Sequence, residues 1–163
     1  MFKVVPIVVF LFISISINEI TTNETMKNIT SGFLKVLDDC KHELNLSENV
    51  LADMYHFWKA DHALLHRDTG CAIVCMSKKL NLLDTSGKLH HGNAQEFAVN
   101  HGAASDMASK LVSVVHECEQ KHDAEEDPCL RALEIAKCFR EVMHEMNWAP
   151  RMDIIISEVL TEI

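Results

Sequence analysis

The sequence predicts an all-α protein with six to seven helices. Glycine and proline are scarce, with only 5 and 3 among the 163 residues. Apolar residues recur three and four positions apart, as on the buried face of a helix, and the alternation typical of β-strands is absent after the N-terminal segment. A chain of this length can bury a core of its own, so its six cysteines would reinforce a packed fold rather than replace its core.

The helical segments follow from the apolar periodicity and from the residues that interrupt it. The predicted helices are Glu24–Asp38, Glu48–Tyr55, Arg67–Asn81, Asn93–Asn100, Ser105–Lys121, Pro128–Glu145 and Asp153–Thr161. Ser105, followed by Asp106, is the predicted N-cap of the fifth helix, and Pro128 suits the first turn of the sixth. Turns that contain glycine or proline separate the later helices, at Thr85–Gly87, His101–Gly102 and Asn147–Pro150.

The N-terminus is predicted to be a signal peptide comprising residues 1–21. Lys3 precedes an apolar run over Val4–Ile13, which is of signal-peptide length and too short for a membrane-spanning helix. Small serines follow the run and place cleavage somewhere in residues 16–21. The alternative is a buried N-terminal helix. After cleavage, residues 22–163 would form a single domain.

The chain is acidic, with a formal net charge of −9 when its ten histidines are neutral. Such a chain repels nucleic-acid phosphates and acidic membrane surfaces, so no nucleic-acid partner is expected. The histidines make the charge sensitive to mild acid. Export to an oxidising compartment would allow all six cysteines to pair, but their spacing leaves the connectivity open.

Two of the cysteines, Cys71 and Cys75, lie one helical turn apart in the stretch GCAIVCMSKKL. At about 100° per residue they share one face of a helix, so each can form a disulfide with a different helix more easily than with the other. The spacing does not suit a CxxC redox pair, and the further ligands that a zinc site needs are missing nearby. Disulfides are therefore the favoured interpretation.

The opposite face of the same helix carries the first indication of function. Ile73, Met76 and Leu80 make this face apolar, and Ser77 is its single hydroxyl. One interpretation is a core serine that donates a hydrogen bond to the carbonyl oxygen of Ile73. The other is the lone polar anchor of an apolar ligand cavity.

Several stretches, together with the spacing of the six cysteines, carry a resemblance to a known family. The intervals between successive cysteines are 30, 3, 42, 10 and 8 residues. The stretches are VLDDCKHELNL, FWKADHALLHRDTGCAIVCMSKKL, LHHGNAQEFAVNHGA and EDPCLRALEIAKCFREVMHEMNWAP. In these features the chain resembles the moth (lepidopteran) pheromone-binding proteins, a branch of the insect odorant-binding proteins, over all of its length after the signal peptide.

The resemblance implies helices around an internal apolar cavity, stapled by the disulfides Cys40–Cys75, Cys71–Cys129 and Cys118–Cys138. It also implies a secreted carrier, not an enzyme, with no cofactor and no metal. The ligands would be long-chain unsaturated alcohols, aldehydes or acetates that serve as sex pheromones in the lymph of the antennal sensillum. The alternative is a general odorant or fatty-acid-type lipid carrier that lacks a pH-driven switch.

The resemblance also assigns ligand-binding residues. Ser77 matches the hydroxyl that bonds the ligand's oxygen, and Phe33 and Phe139 match two rings that enclose its double bond. Met26 matches a residue near the cavity entrance. The matching wall positions are Phe57, Trp58, Ile73, Val112, Val115 and Ile135.

The C-terminal segment, residues 149–163, is predicted to act as a pH switch. Its many apolar residues are interrupted by the carboxylates of Asp153, Glu158 and Glu162. Charged carboxylates cannot enter an apolar cavity without a large desolvation cost, whereas neutral ones can. In acid the segment would therefore fold into the cavity and expel the ligand, as the resembling proteins do. The alternative is an amphipathic helix packed permanently on the surface.

Three histidines, His90, His91 and His116, form the second half of the predicted switch. The resemblance places them near the cavity mouth, where protonation in mild acid would make them repel one another. The family often dimerises at neutral pH, so a homodimer is a candidate partner, as are an odorant receptor and a membrane surface. His62 and His66 are four residues apart but lack a third ligand, so no metal site is predicted.

Motifs of enzymes are missing from the sequence. Ser77 lies in MSK rather than in G-x-S-x-G, and the His-Glu pairs lack the second histidine of H-E-x-x-H. Three sequons for N-glycosylation begin at Asn23, Asn28 and Asn45. No sugar is expected on Asn28, which falls in a predicted helix close to Phe33.

Overall fold

A computed structural model of the chain describes residues 21–59 and 65–150. Within these ranges the protein is helical throughout, apart from its connecting segments and a single bridge between Leu83 and Leu89. The helices are α1 over residues 21–34, α2 Leu37–Leu44, α3 Asn49–Phe57, α4 Arg67–Lys79, α5 His91–Asn100, α6 Ser105–Lys121 and α7 Pro128–Glu145. The prediction of an all-α protein is confirmed.

Some predictions concern residues outside the described ranges. The proposed signal peptide comprises residues 1–21, and all of it except residue 21 lies outside the described ranges. The C-terminal helix Asp153–Thr161 and the carboxylates Asp153, Glu158 and Glu162 fall on residues 151–163. His62 also lies outside. These predictions stay predictions.

The predicted helix boundaries agree best for the last two helices of the described ranges. The predicted helices Ser105–Lys121 and Pro128–Glu145 coincide with α6 and α7. The prediction of Ser105 as an N-cap is wrong, because Ala104 occupies that position and no side chain caps this start. Asp127 accepts hydrogen bonds from the N–H groups of Cys129 and Leu130, at 2.8 and 3.1 Å, and so caps α7. By contrast, α4 ends before the predicted Asn81, which adopts a left-handed conformation with φ of 56°.

The predicted helix Glu24–Asp38 is wrong at its C-terminal end. The chain turns at residues 35–36, and α2 continues to Leu44. No glycine or proline marks this turn. Its reason is tertiary, because Leu37 and Cys40 of α2 are buried and Cys40 is bonded to α4, while α1 covers the cavity described below.

All three disulfides predicted from the resemblance are confirmed. The two cysteines of α4 bond to different helices, as their shared helical face predicts. One ties α4 to α2 and the other ties it to α7, while the third disulfide joins α6 to α7. The pairs are Cys40–Cys75, Cys71–Cys129 and Cys118–Cys138.

Close backbone contact between α4 and α7 depends on a glycine. A Cβ atom on Gly70 would overlap the carbonyl oxygen of Cys129 and would lie 2.8 Å from its carbonyl carbon. Nearby, Arg67 Nη2 of α4 lies 2.8 Å from the Asp127 carboxylate at the start of α7. The Leu130 N–H and this guanidinium both lower the pKa of Asp127. The contact, the disulfide and the ion pair together fix the starts of the two helices.

A buried carboxylate fixes the start of α4 against α3. Asp53 is only 3% exposed and accepts hydrogen bonds from the His66 N–H, at 2.7 Å, and from the Thr69 hydroxyl. The ring nitrogen Nδ1 of His66 lies 3.1 Å from the same carboxylate. The first turn of a helix leaves N–H groups without intrahelical partners, and Asp53 supplies one.

A buried arginine binds a backbone carbonyl group at the end of α3. Arg140 of α7 is 1% exposed, and its Nη1 donates a hydrogen bond to the carbonyl oxygen of Phe57 at 2.9 Å. Its guanidinium carbon lies 5.6 Å from the centroid of the Phe57 ring. Burial lowers the pKa of Arg140, and the nearby Glu141 opposes this effect. Arg140 of α7 thereby holds Phe57 in place.

Candidate functional site

A cavity of about 670 Å³ lies between the helices. Residues from six of the seven helical segments line it, and α2 contributes none. Its volume falls within the range of about 300–1,000 Å³ that is typical of small-molecule pockets, and most of its wall is apolar. Asp84–Gly87 are exposed and also line the cavity, so it reaches solvent at the loop between α4 and α5.

Helical spacing explains which side chains form the wall. On α7 the lining residues recur three and four positions apart, which places them on one face. The same spacing selects Val112 and Val115 on α6, and Ile73 and Ser77 on α4. The lining residues of α7 are Pro128, Arg131, Ala132, Ile135, Ala136 and Phe139.

Nine of the ten residues that the resemblance assigns to ligand binding line this cavity. They are Ser77, Phe33, Phe139, Phe57, Trp58, Ile73, Val112, Val115 and Ile135. Met26 is the exception and requires a correction. It is 1% exposed and packs in the core cluster that contains Trp58, so it does not stand at an entrance. Contact of the other nine with a ligand stays a prediction.

The Ser77 hydroxyl differs from the other hydroxyl of the helical wall. Thr30 also lines the cavity, but its Oγ1 donates a hydrogen bond to the Met26 carbonyl oxygen at 2.8 Å. The corresponding bond from Ser77 to Ile73 is not found in the described part of the chain, nor is any other bond of that hydroxyl. Ser77 is 8% exposed, so it offers an available hydroxyl inside a mostly apolar wall.

Three aromatic rings form one continuous part of the wall. The centroids of Phe57 and Trp58 are 5.0 Å apart, and those of Trp58 and Phe139 are 6.3 Å apart, both with edge-on geometry. Edge-on pairs are a favourable arrangement of aromatic rings. The His144 ring nitrogen Nε2 lies 2.9 Å from the carbonyl oxygen of Trp58 and links α7 to this part of the wall.

The loop at residues 82–89 forms a polar rim on the cavity and is ordered by Asp84. Its Oδ1 accepts hydrogen bonds from the Ser86 hydroxyl at 2.7 Å and from the Ser86 and Lys88 N–H groups at 2.8 and 3.0 Å. These bonds, led by that of the Ser86 hydroxyl, lower the pKa of Asp84.

The sign of that shift fixes the pH range in which Asp84 orders the loop. Because the pKa of Asp84 is lower in the folded than in the unfolded protein, its ionised carboxylate stabilises the loop at pH values above the unfolded-state pKa. This stabilisation is lost only as the pH falls through the folded-state pKa. An unperturbed aspartate titrates at about pH 4, and the pKa of Asp84 is lower still. Asp84 therefore stays ionised at about pH 5 and keeps the rim ordered there.

The three predicted switch histidines lie behind this rim rather than in the cavity wall. The rings of His91 and His116 are stacked, with centroids 5.6 Å apart and planes within 3°. Nδ1 of His116 lies 2.9 Å from one carboxylate oxygen of Glu119, whose other oxygen accepts a hydrogen bond from the Leu89 N–H at 2.7 Å. Glu119 and Leu89 both line the cavity, so the histidine pair adjoins the wall.

The third histidine caps the helix that follows the rim. Nδ1 of His90 accepts a hydrogen bond from the Asn93 N–H at 3.2 Å, at the start of α5. A ring nitrogen accepts such a bond only while it carries no proton. The cap therefore requires His90 with an unprotonated Nδ1.

The sequence did not predict that charged residues line the cavity. Lys78, Asp84, Glu119 and Arg131 all line the cavity. A signal for Arg131 was present, because it lies four residues before Ile135 on the same face of α7. Within the described ranges no cluster of three metal-ligating side chains occurs. Nor is any helix there long and apolar enough to span a membrane.

Comparison with known proteins identifies the family. The profile of the PBP/GOBP family matches residues 22–142. Pheromone-binding protein 2 of Epiphyas postvittana is 44% identical over 142 residues, which are 87% of this chain and 86% of that protein. General odorant-binding protein 1 of Antheraea pernyi is 38% identical over 137 residues, covering 84% of this chain and 82% of that protein.

A solved structure agrees with this assignment. The crystal structure of Epiphyas postvittana pheromone-binding protein 3 is 65% identical and superimposes with a TM-score of 0.67, covering 71% of this chain and 99% of that one. Members of the family are binding proteins, so the prediction that the chain is not an enzyme is confirmed. The chain belongs to the PBP/GOBP family.

Proposed function

We propose that the chain is a secreted carrier of long-chain unsaturated alcohols, aldehydes or acetates that serve as sex pheromones. The observation that carries the proposal is an apolar cavity of about 670 Å³ with one available hydroxyl, Ser77, in its helical wall. The matching relatives named for pheromone or odorant binding support it. The second candidate is a carrier of general odorants or fatty-acid-type lipids.

The energetics favour an elongated apolar ligand with a single polar end. Each methylene removed from water contributes about 0.8 kcal/mol. A chain of roughly a dozen methylenes therefore gains several kcal/mol even after the cost of ordering it. A polar end left without a hydrogen bond would lose about 1–3 kcal/mol, so Ser77 favours ligands that place an oxygen beside it.

Displacement of a fluorescent apolar probe tests this function on the oxidised protein. A panel of matched chains that end in an alcohol, aldehyde, acetate or carboxylate is titrated at about pH 7. We expect displacement by the first three classes. Preference for the carboxylates would support the second candidate instead, and failure of every chain to displace the probe would contradict both.

Replacing Ser77 with alanine should weaken alcohol binding by roughly 5- to 150-fold. The reason is that the ligand oxygen loses its partner in an apolar wall, at about 1–3 kcal/mol. A hydrocarbon of equal length should bind both proteins equally. Ser113→Ala is the matched control, because Ser113 bonds the Ser109 carbonyl oxygen on α6 and does not line the cavity. Equal loss for the hydrocarbon and the alcohol would show a packing effect rather than a hydrogen bond.

The proposal includes release of the ligand in mild acid. Protonation of His91 and His116 would place two positive charges 5.6 Å apart, with Glu119 able to offset only part of the repulsion. Protonation of His90 at Nδ1 would remove the cap of α5. Both changes would loosen the rim, while Asp84 would remain charged. Neutralised Asp153, Glu158 and Glu162 would then let the C-terminal segment replace the ligand.

A tail without acidic side chains provides the sharpest test of this release. The triple variant Asp153→Asn, Glu158→Gln, Glu162→Gln has no acidic side chain in its tail at any pH, so it should lose the probe already at about pH 7. A chain that ends at Pro150 should retain the probe at about pH 5. Unaltered binding by the triple variant at neutral pH, or acid release from the truncated chain, would contradict the tail mechanism while leaving the carrier function intact.

The proposal also places the carrier in the lymph of the antennal sensillum. Candidate partners there are a second copy of the chain at neutral pH, an odorant receptor and the membrane surface at which the ligand is released. Immunolabelling of antennal sections tests the location. Sedimentation at neutral and mildly acid pH tests for the homodimer. A monomer at both pH values would contradict the proposal that a second copy of the chain is a partner.

A further inference from the structure

We propose that Asn45 carries an N-linked oligosaccharide in the secreted protein and that Asn23 and Asn28 do not. The inference rests on the export that belongs to the proposed function. It uses the folded geometry of the sequons, which places Asn45 in an exposed turn and the other two on α1. The three sequons are Asn23-Glu-Thr25, Asn28-Ile-Thr30 and Asn45-Leu-Ser47.

The Asn45 sequon forms the turn between α2 and α3. Asn45 ends α2 in the left-handed conformation, with φ of 50° and ψ of 47°, which asparagine tolerates better than most residues. The Leu46 N–H donates a hydrogen bond to the Lys41 carbonyl oxygen at 3.0 Å and closes the turn. An ion pair of 2.9 Å between Lys41 and Glu48 spans it.

The turn presents the two chemically required residues to solvent. Asn45 and Ser47 are both exposed, whereas Leu46 between them packs against the core cluster that contains Cys40. No bond of the Ser47 hydroxyl to another described residue is found. An oligosaccharide on Asn45 would therefore extend into water without displacing a protein contact. Asn45 is also absent from the cavity lining.

The sequons of α1 have the opposite geometry. Asn23 and Asn28 are half-buried on a helix, and the threonine of each sequon is engaged. The Thr25 hydroxyl, on a residue only 5% exposed, donates to the Gly102 carbonyl oxygen at 3.3 Å, and Thr30 donates to Met26 at 2.8 Å.

A sugar on Asn28 would disturb the contact between α1 and the turn that follows α5. Nδ2 of Asn28 would lie 3.9 Å from a Cβ placed on Gly102 in that turn. A bulky, strongly hydrated group there would have to push this turn away from α1. Chains modified at Asn28 would fold poorly, so folded secreted protein should lack this sugar.

The modification is a group transfer from a lipid diphosphate-linked oligosaccharide. A bond forms between Nδ2 of Asn45 and the anomeric carbon of the first sugar, and the bond from that carbon to the diphosphate oxygen breaks. The amide gives up one proton and the lipid diphosphate leaves. The Ser47 hydroxyl is the second group that the sequon requires, which makes Ser47→Ala a variant that retains the acceptor and removes its recognition.

Expression of the full chain in insect cells, followed by mass measurement of the secreted protein, tests the inference. The protein should carry one glycan, and enzymatic removal should leave an aspartate at position 45 in the peptide map. Asn45→Gln and Ser47→Ala should each abolish the mass shift. Asn28→Gln, the matched control, should leave it unchanged. Probe binding should be the same with and without the glycan.

An unmodified Asn45 in secreted protein, or a glycan on Asn23 or Asn28, would overturn the inference. A chain retained inside the cell would overturn it together with export. Neither result affects the conclusion on ligand binding. Ligand binding is measured separately on unglycosylated protein that has been refolded. Failure of this inference and failure of the carrier function are therefore distinguishable.

Discussion

Removing the disulfide between α4 and α7 should destabilise the protein by about 4 kcal/mol, measured as the free energy of unfolding in denaturant. The variant is the double substitution of Cys71 and Cys129 by alanine, which leaves no unpaired thiol. The bond closes a loop with a sequence separation of 58 residues, so the unfolded chain gains much conformational freedom when it is lost. The cavity wall built from α4 and α7 should loosen at the same time.

The disulfide between α6 and α7 provides a matched control. Cys118 and Cys138 are separated by only 20 residues, so their replacement by alanine should cost about 3 kcal/mol. We therefore expect the α4–α7 variant to be the less stable of the two, with the greater loss of probe affinity. The reverse order of stability would show that native packing around each bond, rather than loop length, determines its contribution.

Replacing Gly70 with alanine should lower the free energy of unfolding by about 2–3 kcal/mol. The added Cβ would overlap the Cys129 carbonyl oxygen and lie 3.1 Å from Cβ of Leu133, so the two helices would have to separate. Because backbone atoms form the obstacle, no side-chain rotation can relieve it. Thermal or denaturant unfolding measures the loss, and reduced probe affinity would report the displaced wall.

Gly92→Ala separates this steric effect from helix propensity. Gly92 lies in the first turn of α5, and the nearest atom to its added Cβ, Cε1 of His90, is 3.7 Å away. Alanine is the better helix former by up to about 1 kcal/mol, so this variant should be unchanged or slightly stabilised. Equal stability of the Gly70 and Gly92 variants would contradict the close contact between α4 and α7.

Patterns local in sequence predicted the parts of the fold that local physics governs. Pro128 predicted the start of α7, where Asp127 caps the helix, and the apolar periodicity predicted its end at Glu145. The shared face of Cys71 and Cys75 predicted correctly that they bond to different helices. Which helices those are came only from the resemblance, because spacing leaves the connectivity open.

Other features depend on contacts between residues far apart in the chain. The turn between α1 and α2 has no breaker and exists because Leu37 and Cys40 are drawn to α4. Arg140 interrupts an otherwise ordinary helix, and only α3 packed beside it shows that it bonds the Phe57 carbonyl oxygen. Met26 illustrates the reverse case, since a position carried over from relatives lies in the core of this chain.

The sequence by itself determined the helical class, the two faces of α4, the bounds of α6 and α7 and the family to which the chain belongs. These properties follow from periodicity and cysteine spacing, which act over a few turns or survive as a linear pattern. Only the tertiary structure decided that Ser77 has an available hydroxyl, that His91 and His116 stack beside Glu119, and that the Asn45 sequon is exposed. Each of these depends on which distant groups approach a side chain, and no linear pattern encodes that approach.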